Sequence, residues 1–335
     1  MCKNIKAVAS PMHIHPKVNQ SKLKKSPIGK RALELAEKGI KEGYLKARSV
    51  KKFLQESSRV NKKGTCFGQA SAVMVADRKA VKGKEKKIVA KANKADALGM
   101  QLLSNMAHAA EGSVKAGKAI ATPIKGLVKM KADLETIDVD LTKLGAVFEK
   151  LKDEPAKKEI EKQLQILKSE KNKLSKEIDK TIEEAIKSME KGAILPGAQV
   201  VAADKLDEVQ QFGEEVKKAQ RELLEVHSNY TFIREQNFVH KEKNAFLKSV
   251  KKLISDSSKE HVVRLNLYNK SGGGHAVALF SHPRMSMYDS NIGLTKHKNK
   301  KSFIKTIEKL FCHKGKYALS NAKIDTYSLE IFTRK

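Results

Sequence analysis

The sequence predicts an α+β protein in which a long helical segment separates a cysteine-bearing helix from a C-terminal sheet. Three observations carry this. From about Ala70 to Ile254 the chain is built almost entirely from strong helix formers, Ala, Lys, Glu and Leu. Inside that run Leu127, Met130, Leu134, Ile137, Leu141, Leu144, Phe148 and Leu151 alternate spacings of three and four, a heptad seam. After Ser258 the period changes to two, as strands require. With 335 residues the chain is long enough for about two domains at roughly 150 residues each.

Taken in order, residues 1–29 hold Pro11, Pro16 and Pro27 among lysines and lack apolar periodicity, the composition of a disordered basic arm. Helical spacing begins after Gly29. Leu33, Ile40, Tyr44 and Leu54 share one face of a basic helix that ends around Ser57–Ser58. A polar turn, Asn61-Lys62-Lys63-Gly64, leads into Thr65-Cys66-Phe67-Gly68 and the apolar face of a second helix, so 30–85 forms the N-terminal helix plus the cysteine helix. Residues 86–257 form the helical module. Its heptads stop at Asp153-Glu154-Pro155 and restart as Ile160, Leu164, Leu167, an interrupting Lys171, Leu174 and Ile178. Proline is tolerated in the first turn of a helix but not inside one, so Pro155 opens the second arm of an antiparallel hairpin. Each arm is roughly 40–50 Å long at 1.5 Å per residue. Val139 and the Asp138/Asp140 pair locally weaken the first arm, and Ala193–Ala203, with Pro196 and Gly197, breaks the run before a third stretch through Leu206, Val209, Val216 and Leu223.

Residues 258–335 alternate differently. His261–Tyr268 reads as a strand, Ser271–Gly274 as a turn, His275–Phe280 as a second strand and Met285–Asp289 as a third. A helix over Ser302–Cys312 and a strand near Thr326–Phe332 complete the α+β ending.

Charge narrows the partners. The chain carries 68 Lys+Arg against 38 Asp+Glu, a net of +30, which points to anionic partners. Only 9 of the basic residues are Arg, the side chain that reads bases and stacks, so the surplus argues for nonspecific attraction to phosphate or acidic surfaces and against sequence readout of nucleic acid. Residues 1–65 alone hold 17 basic and 4 acidic side chains. Three cysteines, Cys2, Cys66 and Cys312, are too few and too scattered for a disulfide framework and suit a reducing compartment. The N-terminus has no signal-peptide pattern, and the longest uncharged stretch falls far short of the ~20 apolar residues of a membrane span.

The chemistry centres on Cys66. It opens a helix after Gly64-Thr65, where the positive end of the helix dipole favours a thiolate. His275 follows three glycines at the start of a strand, where missing side chains allow a substrate backbone to approach. Asp289 ends the adjacent strand. If Leu279 pairs with Met285 across a five-residue loop, His275 stands directly opposite Asp289, with Cβ atoms ~4.5–5.5 Å apart and an imidazole–carboxylate hydrogen bond within reach; a four-residue loop would make them diagonal neighbours. A nucleophile, a base and an acid that orients the base are the requirements of covalent acyl transfer.

Gly64-Thr-Cys66-Phe-Gly68, Gly274-His275-Ala-Val-Ala-Leu279 and Tyr288-Asp289-Ser-Asn291-Ile-Gly293 together resemble the three motifs of papain-like (clan CA) cysteine proteases of the YopT type, found among bacterial effectors. Ser290 stands where that pattern has Pro, and Ile292 where it has a second aromatic. The resemblance covers residues 58–80 and 260–295, and implies a papain-like core interrupted by a coiled-coil hairpin insertion. It implies that Cys66 attacks a carbonyl, that His275 moves the proton and that Asp289 holds the imidazole. The oxyanion would take the Cys66 N–H and a side-chain donor, for which Asn61 is the candidate; Gln69, one turn into the helix, points into structure. Asn291 orients Asp289 or caps its turn. The resemblance implies an effector secreted into host cytoplasm, with a host, membrane-associated protein as the candidate substrate. The basic arm would then add attraction to anionic lipid at about 1 kcal/mol per cation.

Deamidase, transglutaminase and deubiquitinase chemistry begin with the same thioester and stay open. So does a non-catalytic reading, in which the lysine-rich hairpin docks an acidic partner or nucleic acid, and a third in which the seams assemble chains into a coiled-coil oligomer. His13-Ile-His15 lacks further metal ligands, and Cys312-His313 ends an amphipathic helix for structural reasons. No Walker loop, dinucleotide fingerprint or zinc-finger spacing is present, so neither cofactor nor metal is expected.

Overall fold

A computed structural model describes residues 7–9, 20–56, 65–77, 86–192, 201–256, 258–269, 274–281, 284–311 and 324–335. Asn61, His13, His15, Cys2, Cys312, His313, the Pro196-Gly197 break and the turn at Ser271 lie outside them. Among the described residues ten helices and seven strands follow the α+β pattern: β1 (Ala7–Ala9), α1 (Gln20–Lys24), α2 (Pro27–Lys41), α3 (Ala47–Glu56), α4 (Cys66–Asp77), α5 (Lys86–Lys91), α6 (Lys94–Lys150), α7 (Glu154–Gly192), α8 (Leu206–His227), β2 (Tyr230–Val239), α9 (Lys243–Ser255), β3 (His261–Asn269), β4 (Gly274–Phe280), β5 (Ser286–Asp289), β6 (Gly293–Lys296), α10 (Lys300–Phe311) and β7 (Ile324–Arg334). The chain divides into two units, one of Met1–Glu111 with Val209–Lys335, the other of Gly112–Ile194 with Gln199–Glu208. Among the described residues no helix is long and apolar enough to cross a membrane.

In the larger unit the strands form one antiparallel sheet in the order β1-β6-β5-β4-β3-β7-β2. Alternation sorts its side chains. Val263, Leu265, Leu267, Val277, Leu279, Met287, Leu329 and Ile331 pack against Phe246, Val250 and Ile254 of α9 and Phe303, Ile307 and Leu310 of α10. The opposite face receives α4, whose residues are buried almost all round, so that it behaves as a central helix with no amphipathic stripe. A buried ion pair lies beneath it. Arg264, fully buried, donates Nε–H to Glu330 (2.6 Å) and Nη1–H to the Ser71 hydroxyl (2.6 Å), and its guanidinium stacks on the Phe67 ring at 3.9 Å. At the other end of α4, Asp77 is paired with Arg284, which also binds Glu260.

The smaller unit is the expected hairpin. The α6 and α7 segments carry the two seams, with every seam residue from Leu127 to Leu151 half-buried, as a two-helix coiled coil requires. Pro155 is the second residue of α7. Lys171, the polar break in the seam, bonds Asp138 at 2.6 Å, so the helix continues through the Asp138/Asp140 pair that was expected to weaken it.

Several local expectations change. Residues 1–29 are not wholly an unstructured arm: β1 pairs with β6, and Ser26 caps α2 by accepting the Gly29 N–H at 3.1 Å, with Pro27 at the first helical position. The basic helix expected to run to Ser57–Ser58 breaks at Gly43, whose φ of +76° is a left-handed stop. Within the stretch expected to be helical, Tyr230–Val239 is a strand: its aromatic and β-branched residues complete the sheet edge beside β7. The third strand starts at Ser286, because Ser281 O accepts both Arg284 N–H (3.0 Å) and Met285 N–H (3.1 Å) and Met285 turns at φ +40°.

Candidate functional site

Cys66, His275 and Asp289 meet in the larger unit, at the end of β4 beside the N-terminus of α4. The Thr65 carbonyl closes the first turn of α4 by accepting the Gln69 N–H at 2.9 Å. The next free amide, that of Gly68, donates to Gln101 Oε1 of α6 at 3.1 Å. The N–H groups of Cys66 and Phe67 are then the first-turn donors without an intrahelical acceptor. Gly68 is required for this packing, since a Cβ there would run into the Ala97 carbonyl of α6.

The pairing register is Val277↔Asp289 and Leu279↔Met287. His275 is therefore the diagonal neighbour of Asp289 and not its direct partner, which follows from the turn at Met285. The diagonal still suffices: His275 Nε2 lies 3.1 Å from Asp289 Oδ1. Asp289 is fully buried, and its Oδ1 also accepts the Asn291 N–H at 2.7 Å, so Asn291 orients the acid through its backbone. His275 and Asp289 share the side of the sheet that faces α9 and α10, whereas Cys66 arrives on the helix packed against the other side. They meet because β4 begins at Gly274, and the cysteine reaches past the end of the strand: Cys66 Sγ lies 3.7 Å from Gly274 O.

Burial of the His275 ring opposes its positive charge, but hydrogen bonds to Asp289 and Cys66 and their negative charges outweigh it, and its pKa is pushed up to about 9. With Nε2 engaged by Asp289, Nδ1 is the ring nitrogen left for another partner. Gly274 also has a packing reason: a Cβ there would sit 2.7 Å from Leu267 O of β3.

Gln69 points into structure as expected. Its Nε2 donates to Thr65 Oγ1 (2.9 Å) and its Oε1 accepts the Tyr288 hydroxyl (2.9 Å). One dipeptide of β5 thus holds both halves of the site, Asp289 through the histidine and Tyr288 through Gln69 and Thr65. This clamp, the Gln101 cap and the Arg264–Ser71–Phe67 support were not read from the sequence. They join residues 33 to 219 positions apart, and no local pattern announces them. Among the described residues no group of His, Cys, Asp and Glu is arranged to hold a metal ion.

No protein-family model matches the chain, and no curated protein matches it. Among solved structures it is similar to the crystal structure of the Pseudomonas avirulence protein AvrPphB, at 14% identity and a TM-score of 0.30, over 45% of this chain and 75% of that one. A superposition this loose does not by itself establish a shared fold.

Proposed function

We propose that the protein is a cysteine hydrolase with a papain-like core that acts through a thioester, Cys66 being the nucleophile, His275 the acid–base and Asp289 the orienting carboxylate. One observation carries the reading: the imidazole is held between a buried carboxylate and a thiol at a helix N-terminus. At neutral pH the ring is imidazolium, since its pKa is about 9. In the first step the Cys66 thiolate bonds to the substrate carbonyl carbon, and the carbonyl π pair moves to oxygen, towards the N–H groups of Cys66 and Phe67. Collapse breaks the C–N bond, and the leaving amine takes its proton from His275. In the second step neutral His275 deprotonates a water that attacks the thioester. The C–S bond breaks, the acid departs and the thiolate–imidazolium pair is restored.

Peptide bonds are the scissile group we favour, in a host protein if the chain is an effector, as its resemblance to YopT-type proteases suggests. Asn61 remains our proposed side-chain oxyanion donor. The test is limiting iodoacetamide across about pH 5 to 9, read by peptide mapping on wild type and His275→Ala. Cys66 is expected to be alkylated first at acidic pH, with that preference lost in the variant. Reaction no faster than at Cys2 or Cys312 would overturn the proposal. Hydrolysis of a peptide library that survives Cys66→Ala would overturn the assignment of the nucleophile.

A further inference from the structure

The +30 surplus is unevenly distributed. The hairpin expected to be lysine-rich is nearly balanced, with 18 lysines against 15 carboxylates over residues 112–192. Residues 296–311, by contrast, hold six lysines and one carboxylate, Glu308, and all six lysines are exposed. Glu308 is itself occupied, bridging to Lys251 of α9 at 2.6 Å. Lys298, Lys300, Lys301, Lys305 and Lys309 have no acidic partner among the described residues.

The fold turns this segment into a surface. α10 spends its apolar side, Phe303, Ile307 and Leu310, on the sheet core, and α9 does the same with Phe246, Val250 and Ile254. The two helices form one layer on the sheet, and their outward sides present the lysines of α10 together with Lys248 and Lys252 of α9. Of the arginines, none lies in this layer, and Phe246 and Phe303 are buried. Among the described side chains it therefore has neither the guanidinium forks nor the stacking platforms with which proteins grip nucleic acid. What remains is an array of mobile point charges on long stems, which suits the diffuse negative charge of lipid headgroups.

We propose that the outer face of the α9–α10 layer is an electrostatic docking surface for anionic membrane. The surface is separate from the thiol chemistry and stands or falls without it. It adsorbs without inserting, since its apolar residues are already committed to the core. The attraction decays over a Debye length of about 10 Å at 0.1 M salt, so docking weakens steeply as salt rises.

The experiment is cosedimentation of the full chain with vesicles of phosphatidylcholine alone or with phosphatidylserine, at about 0.1 M and about 0.5 M salt. Binding is expected only with phosphatidylserine and at low salt. A triple Lys301→Gln, Lys305→Gln, Lys309→Gln variant should partition roughly 100-fold more weakly, at about fivefold per lysine, while Lys→Arg at the same three positions retains binding. Circular dichroism checks that the variants fold, and the three single Gln variants supply the same comparison if the triple does not. No binding to phosphatidylserine vesicles at low salt would overturn the proposal. So would full binding by the Gln variants with loss on changing Lys3, Lys6 and Lys17 to Gln, or binding to an RNA duplex in place of vesicles.

Discussion

Asp289→Asn removes one negative charge from the site and leaves an acceptor of the same shape for the Asn291 N–H. In the wild type His275 is raised from 6.5 to about 9, a difference of roughly 3 kcal/mol in favour of the imidazolium. Without the carboxylate, burial opposes the charge with only Cys66 against it, and the pKa falls. At pH 7.5 the imidazolium fraction, about 97% in the wild type, drops with it. Ring NMR of His275 over about pH 5 to 10 measures both pKa values directly, and Cys66 alkylation at pH 7.5 should fall in parallel. The linkage to stability has a definite sign. A folded-state pKa above the unfolded one stabilises fully below about pH 6.5 and loses that contribution as pH rises through about 9. The stability gap between wild type and Asp289→Asn, measured by urea unfolding, should narrow over that window. A wild-type histidine titrating near 6.5, or one unmoved by the substitution, would refute the reasoning.

Other substitutions probe the supports of the site. Tyr288→Phe leaves Gln69 Oε1 buried without its donor and should cost about 1–3 kcal/mol in urea unfolding. It should also slow Cys66 alkylation, because the Thr65 cap loosens; an unchanged alkylation rate would separate the clamp from the thiol. Gly68→Ala drives a Cβ into the Ala97 carbonyl, and chemical unfolding should show a loss of about 1–3 kcal/mol or more. Glu330→Ala strands the fully buried Arg264 and should destabilise by about 3–5 kcal/mol, whereas Arg264→Met with Glu330→Leu should cost far less than the two single changes together, read by a double-mutant cycle.

Much of the architecture was legible because its physics is local. The heptad seam, the proline that opens α7 and the two-residue period of β3, β4 and β7 depend on neighbours within a turn or a strand. The candidate trio was legible for a related reason: each member marks an element end, Cys66 a helix start, His275 a strand start and Asp289 a strand end. Tyr230–Val239 was misread because edge pairing with β7 overrode the helix-forming sequence around it. The choice between direct and diagonal register stayed open because it follows from a single left-handed residue, Met285, that no pattern marks as turn-forming.

The sequence by itself determined most element types, the hairpin, the excess of lysine and the candidate thiol, imidazole and carboxylate. These follow from composition and short-range periodicity. Only the tertiary structure decided that Cys66 and His275 meet across the end of β4, that one β5 dipeptide holds both, and that the lysines of α9 and α10 share one outer face. Those facts depend on which elements bury their apolar sides against each other, and that is settled by packing between residues up to two hundred positions apart.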